Sequence, residues 1–194
     1  MRSSRLSRFI SGLGRARGPL VTGLVYTFAP RVFTRIFYRE QGKAAGSCYA
    51  DKGGVVNLSF DVDHPEDVEA LGPLCELLDR LGLKASFAVI GKWVEKYPRE
   101  HLLAVEAGHE ILNHTYTHPD HEILHPDEPF DSLGPGEQQE EIKRCHRACV
   151  ELLGVSPLGF RAPHFGNVQG RGFYSALSGA GYRFSSSVTS VDSP

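Results

Sequence analysis

From Val55 onward, short β-forming runs alternate with segments of helical periodicity, and this alternation restricts the fold more than any other feature of the chain. The runs are Val55-Val56-Asn57-Leu58-Ser59-Phe60, Ala85 to Ile90, Glu110-Ile111-Leu112, Leu158 to Arg161 and Tyr182 to Val188. Between the first two, Val68, Leu71, Leu74, Leu77, Leu78 and Leu81 recur at the spacing of one helix face, and Gly82 supplies a stop. Residues 92–107 read as a helix broken near Pro98, Glu137 to Leu153 as a long amphipathic helix, and 171–180 as another. Residues 119–136, rich in Pro, Gly and Asp, read as a long loop. Strands separated by helices or long crossovers must run parallel, so the expected class is α/β.

Parallel sheets gather chemistry at the carboxyl ends of their strands. Asp61 and Asp63 follow the first run, His114 and His118 the third, Arg161 and His164 the fourth. Asp63 with the two histidines makes a carboxylate-plus-two-imidazole set suited to a divalent metal with open positions. A single helical turn would put His114 and His118, four apart, on the same side. Asp61, two residues before Asp63 on an extended segment, faces the same way and is free to act as a base. An arginine such as Arg161 orients a carboxylate and favours its ionised form.

The runs Ser59-Phe60-Asp61-Val62-Asp63, His114-Thr115-Tyr116-Thr117-His118 and Arg161-Ala162-Pro163 resemble the first three motifs of the polysaccharide deacetylases, the NodB-homology domain of carbohydrate esterase family four. The first motif is the Asp-x-Asp variant. The resemblance spans about residues 55–190. It implies a deformed (β/α) barrel, with about five of seven strands present. It implies Asp61 as catalytic base, Arg161 holding it, and Asp63, His114 and His118 on a divalent metal, most often zinc. It also implies de-N-acetylation of an N-acetylated glycan. The family's late Leu-x-His motif, which carries the acid histidine, is absent before Pro194, so a truncated deacetylase domain is expected. His164 is the local candidate for that acid. An inactive or incomplete domain that binds metal or carbohydrate is the alternative.

One rival motif competes. His121-Glu122-Ile123-Leu124-His125 matches the zinc-protease pattern HExxH, which needs a helix presenting both histidines on one face. Pro119 and Pro126 bracket it too closely for more than about one turn. Trp93, Tyr116 and Phe165 are candidates for stacking on sugar, with core packing as the default for each. Core packing is also the reading for His109.

The chain has 194 residues and a net charge of -2, but the charge is unevenly spread. Residues 1–39 hold eight arginines and no acidic residue, leaving a net of -10 on the remaining 155. The division expected is therefore a basic arm over 1–50 and the partial deacetylase domain over 51–194. The arm's arginines with Phe28, Phe33 and Phe37 suit peripheral contact with an anionic membrane; an added helix or a tail is the simpler reading. Its apolar stretch, Leu20 to Ala29, is too short to span a bilayer and is followed by no clean cleavage site, so a cytoplasmic or membrane-peripheral location is favoured over secretion. No motif points to nucleic acid. Cys48, Cys75, Cys145 and Cys149 form neither a disulfide framework nor a paired metal set, and read as buried or incidental thiols.

Overall fold

A computed structural model describes residues 56–165 and 171–187. Five strands form one parallel sheet in the order of the chain: β1 (Ser59–Val62), β2 (Ser86–Val89), β3 (Glu110–Asn113), β4 (Gly159–Phe160) and β5 (Phe184–Ser185). The helices are α1 (Pro65–Arg80), α2 (Gly91–Lys96), α3 (Pro98–Glu106), α4 (Pro135–Ala148) and α5 (Arg171–Gly179). This is the α/β arrangement that the alternation of runs predicts. Residues 57–188 make up one compact unit. The basic arm over 1–50, Cys48 and Val55 lie outside the described residues.

Several boundaries move. The first strand starts at Ser59 rather than Val55, and Val56 is exposed. Asp61 therefore sits inside β1 instead of after it, because pairing with Ser86–Val89 decides which residues are in the ladder. The break near Pro98 separates α2 from α3, as expected of a residue that lacks an N–H and favours the first turn. The long helix begins two residues early, at Pro135, and its last turn, Cys149–Leu153, widens into a π turn. The loop before it is pinned by Phe130 and Leu133, both buried.

Burial explains the order of the elements. β2 is buried along its whole length, so its Phe87-Ala88-Val89 run carries no polar alternation. Val68, Leu71, Cys75 and Leu78 of α1 pack into the main core with Phe87, Val89, Ile90, Trp93, Cys145 and Cys149. A second, smaller core joins Phe130, Leu133, Ile142, Phe160, Leu177 and Tyr182. Cys75, Cys145 and Cys149 are free and buried, as their spacing suggests. His109 is also a packing residue: it lies edge-on to Phe87 and its Nδ1 accepts the Ala85 N–H.

The register decides where the polar residues meet. Val62 pairs with Val89, Val89 with Asn113, Asn113 with Phe160 and Phe160 with Ser185, so the strands finish in one row. The next residues along that row are Asp63, Ile90, His114, Arg161 and Ser186. The ladder continues into them, with His114 N–H donating to Val89, Arg161 N–H to Asn113 and Ser186 N–H to Phe160. Sequence positions 63, 114, 161 and 186 are thus brought level by pairing alone.

Gly91 opens α2 at a crowded point. A Cβ there would lie 2.7 Å from Tyr116 Cδ2 and 2.8 Å from Cys145 Cα. Its N–H donates to Thr115 O at 3.0 Å, which ties α2 to the loop after β3. Gly91→Ala should therefore overpack this junction and cost about 1–3 kcal/mol, seen as a lower denaturation midpoint at unchanged m-value.

His101 of α3 is fully buried; its Nδ1–H donates to Tyr97 O at 2.8 Å, and its Nε2 has no hydrogen-bond partner. Burial pushes its pKa below the ordinary value, against the opposing effects of the Tyr97 carbonyl and Glu100. In the unfolded chain it takes a proton near pH ~6.5. Between that pH and the lower folded pKa, the unfolded state binds more protons, so stability is lost as pH falls through the window. Thermal melts from pH 7.5 down to 5 should show a falling Tm, with a shallower slope in His101→Phe. Equal slopes in the two proteins would remove His101 from this account.

Candidate metal centre

Asp63 stands just past the end of β1. Its Oδ1 is buried without a hydrogen-bond partner, and it faces two imidazoles. His114 Nε2 is 3.4 Å away and His118 Nε2 3.9 Å. One ligand atom from each of Asp63, His114 and His118 lies within 4.8 Å of the others, the one such cluster found among the described residues.

The protonation states suit a cation. His114 Nδ1 is 2.8 Å from the Arg161 carbonyl, which can only accept, so Nδ1 carries the proton and Nε2 presents its lone pair. Burial, followed by the charge of His114, pushes His118 down to about 3 against the pull of Asp63, leaving its ring neutral. Burial acts to raise the Asp63 carboxyl, but the nearby imidazoles, His114 first and then His118 and His64, outweigh it and hold the group below its ordinary value. Neutral imidazoles and an ionised carboxylate are the forms that bind metal. A buried carboxylate oxygen without a hydrogen bond is costly in a bare protein, and this fits a site built for a cation.

The two histidines do not share a helical turn, contrary to what their spacing suggests. Residues 114–118 form a loop in which Thr115 has φ 66° and His118 φ 53°. For a β-branched threonine this is strained by about 1–3 kcal/mol. Neighbours enforce it. Thr115 N–H donates to Asn113 Oδ1 at 2.9 Å, and Thr115 Oγ1 accepts the His118 N–H at 3.1 Å. Buried Glu141 of α4 accepts the N–H groups of Tyr116 at 3.0 Å and Thr117 at 2.7 Å through one oxygen. Asn113 is itself spent on Ile142 O and Tyr182 Oη. The reversed backbone brings the His118 ring to 4.8 Å from His114, nearly edge-on.

Asp61 and Arg161 lie beside this cluster. Arg161 is buried and its Nη1 pairs with Asp61 Oδ1. Its Nη2 donates to Ser59 Oγ and Ser186 Oγ, both at 2.7 Å, and its Nε to Ser186 Oγ at 3.2 Å. The guanidinium is therefore fixed on three sides, while about 30% of the Asp61 side chain stays exposed. Ser59 could be read from the sequence, since it shares a strand face with Asp61 two residues on. Ser186, Glu141, Asn113 and Asp67 carried no local signal.

The rival pattern does not have its required geometry. His121 and His125 close a turn through an antiparallel bridge, with no helix to hold them on one face. His121 Nδ1 accepts the N–H groups of Ile123 and Leu124, and His125 Nδ1 meets Thr117 Oγ1 at 2.9 Å. For two of the candidate sugar platforms the default of core packing holds. Trp93 is buried and Tyr116 lies under Arg144, whose guanidinium carbon is 3.7 Å from its ring centroid. Phe165 remains partly exposed. His164 is exposed, with φ 52°; its ring centroid is 4.8 Å from that of His118, and its Nε2 is 3.9 Å from Asp120 Oδ2.

The chain is similar to a peptidoglycan deacetylase-like protein of Gibberella zeae, 34% identical over 48% of the chain and 25% of that protein. It is 30% identical to the peptidoglycan-N-acetylglucosamine deacetylase of Bacillus cereus, over 56% of the chain and 36% of that enzyme. The chain thus spans well under half the length of either. Its fold matches the family 4 carbohydrate esterase from Streptomyces lividans in complex with acetate, with a TM-score of 0.55, 26% identity, and coverage of 68% of this chain and 62% of that one. The polysaccharide deacetylase family profile matches residues 49–184. That match takes in the first four strands, the triad and the Asp61–Arg161 pair together, and the chain belongs to the polysaccharide deacetylase family.

Proposed function

We propose that the chain catalyses metal-dependent de-N-acetylation of amino sugars in a polysaccharide. The observation that carries this reading is the meeting of two units at one row of strand ends: the Asp63–His114–His118 triad, and an arginine-held carboxylate, Asp61, beside it. Family membership supports the same chemistry, and the two relatives described above, from Gibberella zeae and Bacillus cereus, are named for peptidoglycan.

A divalent cation held by Asp63, His114 and His118, most suitably zinc, would supply Lewis acidity toward the acetamide carbonyl and acidify water. Asp61 takes the proton of the attacking water. Arg161 aims that carboxylate, with Ser59 and Ser186 preventing the guanidinium from turning away. His164 is exposed next to His118 and is placed to pass a proton to the leaving amine. Phe165, beside Arg161, is the remaining aromatic surface for a sugar ring.

The full chain, loaded with zinc, should release acetate from N-acetylated peptidoglycan fragments or chitooligosaccharides, and a chelator should stop it. Asp61→Asn should cut release by about 10²–10⁴-fold while zinc stays bound. Bound zinc with no acetate from either substrate would favour a binding domain over an enzyme. His164→Ala should slow turnover without loss of metal, and unchanged turnover in that variant would dismiss His164 as the acid.

A further inference from the structure

His121, the first histidine of the HExxH pattern, is left over once the protease reading fails, yet it is 3% exposed and lies against the metal triad. Its ring centroid is 5.7 Å from that of His118 and 5.0 Å from that of His64. Both of its nitrogens are engaged. Nδ1 accepts two N–H groups from the turn that follows, so the proton sits on Nε2, and Nε2 donates to the Asp63 carbonyl at 2.8 Å. The same carbonyl takes a second bond, 2.7 Å long, from the indole Nε1–H of Trp93. On the other side of that residue, the Asp63 N–H donates to Asp67 Oδ2 at 3.1 Å, and the His64 N–H reaches the same oxygen at 2.9 Å.

Every backbone polar group of Asp63 is thus held by a side chain, while its Oδ1 has no hydrogen bond. This inverts the usual arrangement, in which a ligating carboxylate is oriented by bonds to its own oxygens. Here the orientation is set through the main chain, which sits past the end of β1 and receives no ladder bonds of its own. We infer that His121 and Trp93 are positioning residues that clamp the Asp63 carbonyl and thereby aim its carboxylate at the metal. The inference rests on the metal reading of the triad. It also gives the HExxH histidine a role: it serves the site from behind, as a donor to a ligand's backbone.

Two near-isosteres separate this role from a merely structural one. His121→Gln keeps an N–H at the Nε2 position and loses the acceptor for the turn. His121→Asn keeps the acceptor near Nδ1 and loses the donor to Asp63. Zinc affinity of the full chain is measured by competition with a chromophoric chelator, with Tm of the metal-free protein recorded alongside. Trp93 is the only tryptophan, so its fluorescence gives an independent report on the clamp. His121→Asn and His121→Ala should weaken zinc binding by about 10–100-fold. His121→Gln should stay within a few-fold of the unaltered chain, whatever its Tm. Trp93→Phe, which keeps an aromatic ring but loses the indole N–H and the five-membered ring that carries it, should weaken binding as well, and it carries the test if the His121 variants fail to fold. Affinity that follows Asn rather than Gln, that falls equally in both or that changes in neither overturns the clamp while leaving the triad intact. An unaltered chain that binds no zinc overturns the metal reading, and the clamp with it.

Discussion

Arg161 is the residue on which the site's two halves depend. Its guanidinium pairs with Asp61, and its carbonyl receives the Nδ1–H of His114. A single position at the end of β4 therefore orients the proposed base by its side chain and selects the tautomer of a proposed ligand by its main chain. Side-chain replacement affects only the first directly; a shift of the backbone affects both. Ser59 from β1 and Ser186 beyond β5 fix the guanidinium from the two edge strands of the described sheet. Removing one partner of such a buried, hydrogen-bonded charge is typically far more damaging than the net worth of the pair suggests.

The second constraint is the strained loop after β3. Left alone, a threonine would avoid φ near +66° and the loop would relax. It is held by Asn113 below, Glu141 from α4 and the N-terminus of α2, where Gly91 permits an approach that a side chain would block. Leaving the two N–H groups that Glu141 receives unpaired would cost about 1–3 kcal/mol each. The packing of α2 and α4 thus stores the strain that turns His118 back toward His114. This links the main core to the geometry of the triad.

The triad, the base and the carbonyl clamp behave as nested layers. The innermost groups are open to a metal; the next are donors and acceptors whose own positions are set by burial. His121 illustrates how a sequence motif misleads when read without its backbone. The HExxH spacing is real, but the chemistry of that motif depends on a helix, and Pro119 and Pro126 leave room only for a turn. Whichever nitrogen His121 would offer to zinc in a helix is occupied here, Nδ1 by the turn and Nε2 by Asp63.

Alternating β runs and helical stripes were enough, by themselves, to establish a parallel α/β fold, because side-chain period reports burial directly. The candidates Asp61, Asp63, His114, His118 and Arg161 were legible too, since each lies at or shortly after the end of a predicted strand. Their assembly was not. The sequence could not show that Asp63, His114, Arg161 and Ser186 fall in one row, because register is set by pairing between strands tens of residues apart. Nor could it show that the His-x-x-x-His loop is left-handed rather than helical, or that Glu141, Asp67 and Ser186 serve the site. Local spacing determined which groups were available; only tertiary contacts, through register and imposed backbone strain, decided which way they point.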